Sequence, residues 1–181
     1  MKFEKITPVI LNDEYFREAL KSKSPYVILE MGNFMTMCQL VKEIKSFNKE
    51  VFVKINEIQG IKEDDDVVFE YLIKAGVFGV VSNKTKVLQK AKKNFLKVVY
   101  TAFVFDTKSL DTTLKNIENI KPDIVEVRPG IMPKVIKVIR EKNPSLPIWA
   151  TGIVTEDKEI DEALEAGAQS IVTSKLGLWK K

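Results

Sequence analysis

The chain has 181 residues, 45% of them hydrophobic and 30% charged, a balance that suits one globular domain with a substantial core. The net charge of +4 is too small to argue by itself for a nucleic-acid partner. There is no histidine and one cysteine, Cys38, which removes the commonest general base, argues against a zinc centre and rules out an intrachain disulfide. One cysteine fits a reducing compartment, so a cytoplasmic location is expected. The opening MKFEKITPVILNDEYF lacks the long apolar run and small-residue site of a signal peptide. No stretch approaches the roughly 18 apolar residues of a membrane span. No cofactor and no metal are expected.

In chain order, short β-rich apolar runs alternate with amphipathic stretches. TPVIL (7–11) reads as a strand, followed by the helix DEYFREALKS with Asn12 as its cap. YVILEM (26–31) precedes MTMCQLVKEIKSF, and VFVKIN (51–56) precedes DDDVVFEYLIKAG, whose acidic start (63–66) suits a helix N-terminus. FGVVS (78–82) leads to TKVLQKAKKN, and KVVYTAFV (97–104) to SLDTTLKNIEN with Ser109 as the expected cap. DIVEVR (123–128) leads to MPKVIKVIREK. PIWATGI (147–153) leads to TEDKEIDEALEAG with Thr155 as cap, and SIVTS (170–174) closes the series. In the last helix Ile160, Ala163, Leu164 and Gly167 recur at three and four, the period of a buried helix face.

Eight strands alternating with helices predict a parallel sheet, closed most naturally as a compact (β/α)8 TIM-type barrel in a single domain over residues 1–181. The alternative is an open doubly wound sheet. No Pro-rich or Ser/Gly-rich linker marks an internal boundary.

The sixth strand carries Glu126 and Arg128 two residues apart, and such side chains share a face. If Val125 and Val127 face the helices, then Ile124, Glu126 and Arg128 face the barrel axis and climb towards the C-terminal mouth. The third strand follows suit, with Val51, Val53 and Ile55 outward and Phe52, Lys54 and Asn56 inward. Glu30 closes the second strand opposite Leu29 and Met31. Glu30, Lys54, Glu126 and Arg128 therefore converge at the end where such barrels build their sites. A polar cluster at a mouth suits ligand binding; mutual ion pairing that only fills the barrel is the alternative.

The last two units suggest where an anion would sit. Phosphate sites in these barrels are often formed after strands seven and eight, with a short extra helix. Gly152 and Ile153, then Thr173 and Ser174, lie at those positions, and Gly177-Leu178-Trp179 could open the final helix. Asn56, Ser82 and Gly130, at other strand ends, complete the candidate set.

From Tyr71 to Phe105 there is no acidic residue but there are seven lysines. Lys86, Lys90, Lys93 and Lys97 form one helical stripe opposite Val87, Leu88 and Ala91. A solvated lysine face is the plain interpretation; contact with an RNA backbone is the sharper one. Lys134, Lys137 and Arg140 on the sixth helix are the fallback surface.

The stretches IQGIKEDDD, GVVSNKTKVLQKAKK, FVFDTKSLDTTL, PDIVEVRPGIMPKVIKVI and TGIVTEDKEIDEALEAGAQSIVTS, with LW near the end, resemble the glycerol uptake operon antiterminator regulatory protein family. The resemblance is collinear over residues 8 to 179. It implies a barrel that binds glycerol 3-phosphate and acts on messenger RNA leaders, without catalysis; a homo-oligomer is also possible. At several mouth positions the sequence departs from the family. A His-x-Asp-Leu-Ile-x-Gly motif is here Lys54-Ile55-Asn56-Glu57-Ile58-Gln59-Gly60. Ser-Thr-Arg is Ser82-Asn83-Lys84, and Gln-Arg is Tyr100-Thr101. Leu-Pro-Gly is Arg128-Pro129-Gly130, and Ala-Gly-Gly is Ala150-Thr151-Gly152. Glu126 and Gly152 match. The competing reading is a lyase-, aldolase- or isomerase-type barrel enzyme on a small phosphorylated substrate, with Lys54 as Schiff-base nucleophile or general base beside Glu126. A barrel retained purely as a binding module is a third.

Overall fold

The structure is a computed structural model and describes residues 1–179. Eight strands, β1 (Ile6–Ile10), β2 (Tyr26–Leu29), β3 (Glu50–Lys54), β4 (Gly79–Ser82), β5 (Lys97–Phe103), β6 (Ile124–Arg128), β7 (Ile148–Thr151) and β8 (Ser170–Thr173), alternate with seven α-helices. The helices are α1 (Asp13–Lys21), α2 (Met37–Ser46), α3 (Asp66–Ala75), α4 (Thr85–Lys93), α5 (Thr107–Ile120), α6 (Pro133–Lys142) and α7 (Asp157–Glu165). All neighbouring strands pair in parallel and β8 returns to β1, closing the barrel in sequence order. The expected TIM-type barrel is the fold, and the open-sheet alternative falls.

Three local expectations need correction. β3 ends at Lys54; the next three residues, Ile55–Glu57, form a 3-10 turn, so Asn56 is not an inward strand residue. The α5 cap is Asp106 rather than Ser109: the Asp106 carboxylate accepts the Ser109 N–H at 2.7 Å, while the Ser109 hydroxyl takes the Asp106 N–H at 3.0 Å. This reciprocal pairing needs Ser109 three residues into the helix. The α7 cap position is Glu156 rather than Thr155, because Glu159 reaches back to the N–H groups of both, at 2.9 and 2.7 Å.

Strand alternation divides the core in two. Outward residues such as Val53, Val80, Val125, Val127 and Ile171 pack against the helices. Inward residues Val9, Tyr26, Ile28, Phe52, Val81, Val99, Ile124, Trp149 and Val172 fill the barrel. Aromatic rings plug its lower half: Phe52 lies 5.2 Å from Trp149, 5.3 Å from Phe78 and 5.8 Å from Tyr26, centroid to centroid. Gly79 makes room for this plug, since a Cβ there would lie 2.6 Å from the Phe52 ring and from the Lys97 carbonyl.

Candidate functional site

Above the aromatic plug the same inward positions turn polar. Glu126 is fully buried and held from two sides: Thr101 donates its hydroxyl at 2.6 Å, and Arg128 Nη2 donates at 2.9 Å. The β5–β6 register sets Thr101 directly beside Glu126, which is why the hydroxyl reaches. Lys54 Nζ donates to Glu30 Oε1 at 3.0 Å, and Arg128 stands 3.8 Å from the same oxygen. One chain of contacts thus runs Lys54–Glu30–Arg128–Glu126–Thr101. Burial disfavours the Arg128 charge, but Glu126, then Glu30 and Glu57, outweigh it and hold the guanidinium above its ordinary value.

The cluster opens into a cavity of about 460 Å3 lined by Glu30, Arg128, Thr151, Gly152, Ile153, Thr173 and Ser174, among others. Two buried polar atoms in this wall, Arg128 Nε and Thr151 Oγ1, have no hydrogen-bond partner among the described residues. Buried polar atoms are normally satisfied, so unpaired ones lining a cavity are what a ligand would complete. Gly152 and Ile153 both have positive φ, 82° and 62°. For β-branched Ile153 that conformation is strained, and such strain concentrates at binding sites. The 3-10 turn Leu176–Leu178 follows β8, and Trp179 Nε1 ties it down by donating to the Thr173 carbonyl at 2.9 Å.

The structure therefore brings six of the sequence candidates to one cavity: Glu30, Arg128, Gly152, Ile153, Thr173 and Ser174. Lys54 joins through Glu30, and Glu126 through Arg128. Three others do not line it. Asn56 is exposed and donates to its neighbour Glu57. Ser82 follows inward Val81, so alternation turns it towards the helices, and its hydroxyl accepts the Lys84 N–H at 3.1 Å. Gly130 is packed on β7, where a Cβ would meet Thr151 N at 2.6 Å; its own N–H donates to the Gly152 carbonyl at 3.0 Å. Gly130 is a spacer that seats Gly152. In the sequence Thr101 and Thr151 stand out only as departures from a family pattern. Their parity with Val99 and Trp149 was the signal that they face inward.

The lysine stripe is less available than its sequence suggests. The acidic residues before and at the start of α3 lie across from it: Lys84 pairs with Glu63, and Lys90 pairs with Asp66 at 2.9 Å and donates to the Asp64 carbonyl. Lys97 is not part of the helical stripe, because α4 ends at Lys93; it opens β5 and pairs with Asp123 at 2.8 Å. Lys86 and Lys93 are exposed and make no ion pair among the described residues. The fallback Arg140 donates to the Pro144 and Gly167 carbonyls, which ties it to helix ends. Among the described residues no group of three or more His, Cys, Asp or Glu could hold a metal, and no helix is long and apolar enough to cross a membrane.

A closed parallel barrel with a polar, charged mouth between β7, β8 and β1 places the chain among TIM barrels, which build their sites at this end. Sequence comparison narrows the class. The profile of the glycerol-3-phosphate responsive antiterminator family matches residues 6–179, and the chain belongs to that family. A glycerol uptake operon antiterminator-related protein from Thermotoga maritima superposes with a TM-score of 0.87 at 29% identity, covering 99% of both chains. A glycerol uptake operon antiterminator regulatory protein from Listeria monocytogenes gives 0.89 at 22% identity, over 98% of this chain and 95% of that one. The uncharacterized protein YgcP of Escherichia coli is 27% identical over 161 residues, 89% of this chain and 84% of its own length.

Proposed function

We propose that the chain is an effector-responsive regulator that binds glycerol 3-phosphate at the barrel mouth, contacts a messenger RNA leader and catalyses nothing; a cytoplasmic location fits that role. The observation that carries the ligand part is the cavity wall where Arg128 Nε and Thr151 Oγ1 lack partners beside the strained Gly152–Ile153 turn. Arg128 suits a phosphate because a guanidinium can make two parallel charge-assisted bonds to it. Gly152, Ile153, Thr173 and Ser174 would surround the phosphate; Glu30, with Lys54 behind it, would face the hydroxyl groups of the glycerol end. The family match supports both the effector and the RNA.

Lys54 and Glu126, the pair that a catalytic alternative needs, are each engaged. A Schiff-base lysine must present a neutral amine, whereas Lys54 Nζ lies in an ion pair with Glu30. Glu126 is shut from solvent and bonded on both oxygens. These contacts favour binding over turnover.

Thermal-shift titration tests the effector. Glycerol 3-phosphate at 100 times its dissociation constant adds about 2.7 kcal/mol of stability. Glycerol and inorganic phosphate are the comparisons. No shift with any phosphate ester would remove the ligand assignment. Trapping of a carbonyl substrate on Lys54 by borohydride would replace it with the enzyme.

A further inference from the structure

A second cleft opens at the rim, between β5 and α5. It holds about 530 Å3 and is lined by Asn83, Thr101, Phe103, Phe105, Lys108 and Ser109, among others. It is separate from the anion cavity, with which it shares no lining residue. Two phenylalanine rings stand in it largely uncovered, Phe103 50% and Phe105 80% exposed. Their setting is built rather than loose. The Val104 N–H donates to the Arg128 carbonyl at 2.9 Å, and the Phe105 N–H donates to the Ser109 hydroxyl at 3.0 Å. The aromatic faces are thus presented on a fixed backbone, which lowers the ordering cost of binding.

The charges around the cleft have one sign to offer. Lys108, the second residue of α5, lies in the cleft wall; Lys86, the second residue of α4, leaves the same rim but lines the neighbouring opening with Glu63, Asp64 and Lys84. Both are exposed, and neither makes an ion pair among the described residues. Asp106 is the acidic residue in the cleft wall; its carboxylate caps α5, and the Ser109 N–H and hydroxyl hold it below the usual aspartate range. Asn83 and Thr112 supply polar atoms at the edge; the Ser109 hydroxyl is already engaged with the Phe105 and Asp106 N–H groups and the Asp106 carbonyl.

Exposed aromatic faces, amide and hydroxyl edges, an unpaired cation in the wall and a second one over the neighbouring opening match the needs of an unstacked nucleotide. A base stacks on the ring, its edge meets polar side chains, and the phosphates meet lysines. A duplex has no free base faces to offer. We propose that this cleft binds one or two splayed bases of single-stranded RNA on Phe103 and Phe105, with Lys86 and Lys108 on the flanking phosphates. The inference rests on the RNA-regulator reading above and moves its RNA contact from the length of the α4 stripe to the rim between α4 and α5.

Fluorescence anisotropy tests it, with a labelled random-sequence single-stranded RNA of 20 nucleotides and a duplex of the same length, with and without glycerol 3-phosphate. Stacking contributes about 5- to 150-fold per base. Phe103→Ala with Phe105→Ala should lose at least tenfold in single-strand affinity, and Phe103→Trp with Phe105→Trp should retain it. Phe95→Ala is the control, since that ring is 97% exposed in the α4–β5 connection, at the other end of the barrel. It should bind as the parent does. Lys86→Gln with Lys108→Gln should flatten the log–log salt slope by about 1.4, at 0.7 per phosphate. Unfolding midpoints confirm that each variant is folded. Unchanged affinity in the double alanine variant would overturn the cleft while leaving the RNA reading in place, and would assign the rings to a protein contact. A parent chain that binds no RNA under any condition would overturn both.

Discussion

The inward-facing positions of one barrel make two different interiors. In the lower half they carry Phe52, Ile124 and Trp149; in the upper half, one or two pleats further along the same strands, they carry Lys54, Glu126, Arg128 and Thr151. The geometry is shared, so the difference lies in side-chain chemistry. The lower half fills space mainly with apolar surface; its polar groups include the Thr7–Ser170 hydroxyl pair, the Tyr26 hydroxyl and the Trp149 N–H. The upper half buries charge at a cost that packing alone does not require. A residue's distance from the mouth, and not its inward direction, separates the apolar plug from the ionic cluster.

This contrast can be broken most strongly from below. Phe52→Ala removes a fully buried ring from between Tyr26, Phe78 and Trp149. Denaturant unfolding should show a loss of about 3–5 kcal/mol. Effector affinity, measured where the variant is folded, should change little. A large affinity loss in the folded variant would show that the plug shapes the mouth.

The next effect comes from the upper half. Glu126→Ala leaves the Thr101 hydroxyl without its acceptor and Arg128 without its nearest counter-ion. The expected stability loss is about 1.5–3 kcal/mol, because Glu30 at 3.8 Å and partial exposure soften it. Arg128→Ala should weaken phosphate-ester binding by roughly 1–3 kcal/mol in calorimetry. Equal affinity would take Arg128 out of the site and leave the cluster as a structural ion network.

The fold was legible because its signal is repeated. Eight β-rich runs with helical periods between them fix strand number and parallel pairing, and mistakes of one or two residues at the ends do not disturb closure. The ionic cluster was legible for the same reason: alternation from Val125 and Val127 turns Glu126 and Arg128 inward whatever the loops do. What the sequence hid depends on contacts distant along the chain. Lys90 looks free until α3 brings Asp66 against it. Gly130 looks like a ligand turn until β7 fills its space. Phe103 and Phe105 lie twenty or more residues from Asn83, and only the adjacency of β4 and β5 brings them to one cleft.

The smallest expected effect concerns the loop above β7. Ile153 holds φ at 62° although its side chain is 65% exposed and so gains little burial in return. A β-branched residue resists the left-handed region, which asparagine tolerates. Ile153→Asn should therefore stabilise the fold by about 0.5–1 kcal/mol, read as a raised unfolding midpoint without ligand. It keeps the backbone path that seats Gly152 over Gly130, so phosphate-ester affinity should stay within a few-fold of the parent. A lowered midpoint would mean that the exposed isoleucine makes contacts worth more than its strain. A raised midpoint with affinity lost would show that the Ile153 side chain itself closes over the ligand. The upper half of the barrel would then bind partly through apolar cover, and the contrast with the lower half would be one of degree.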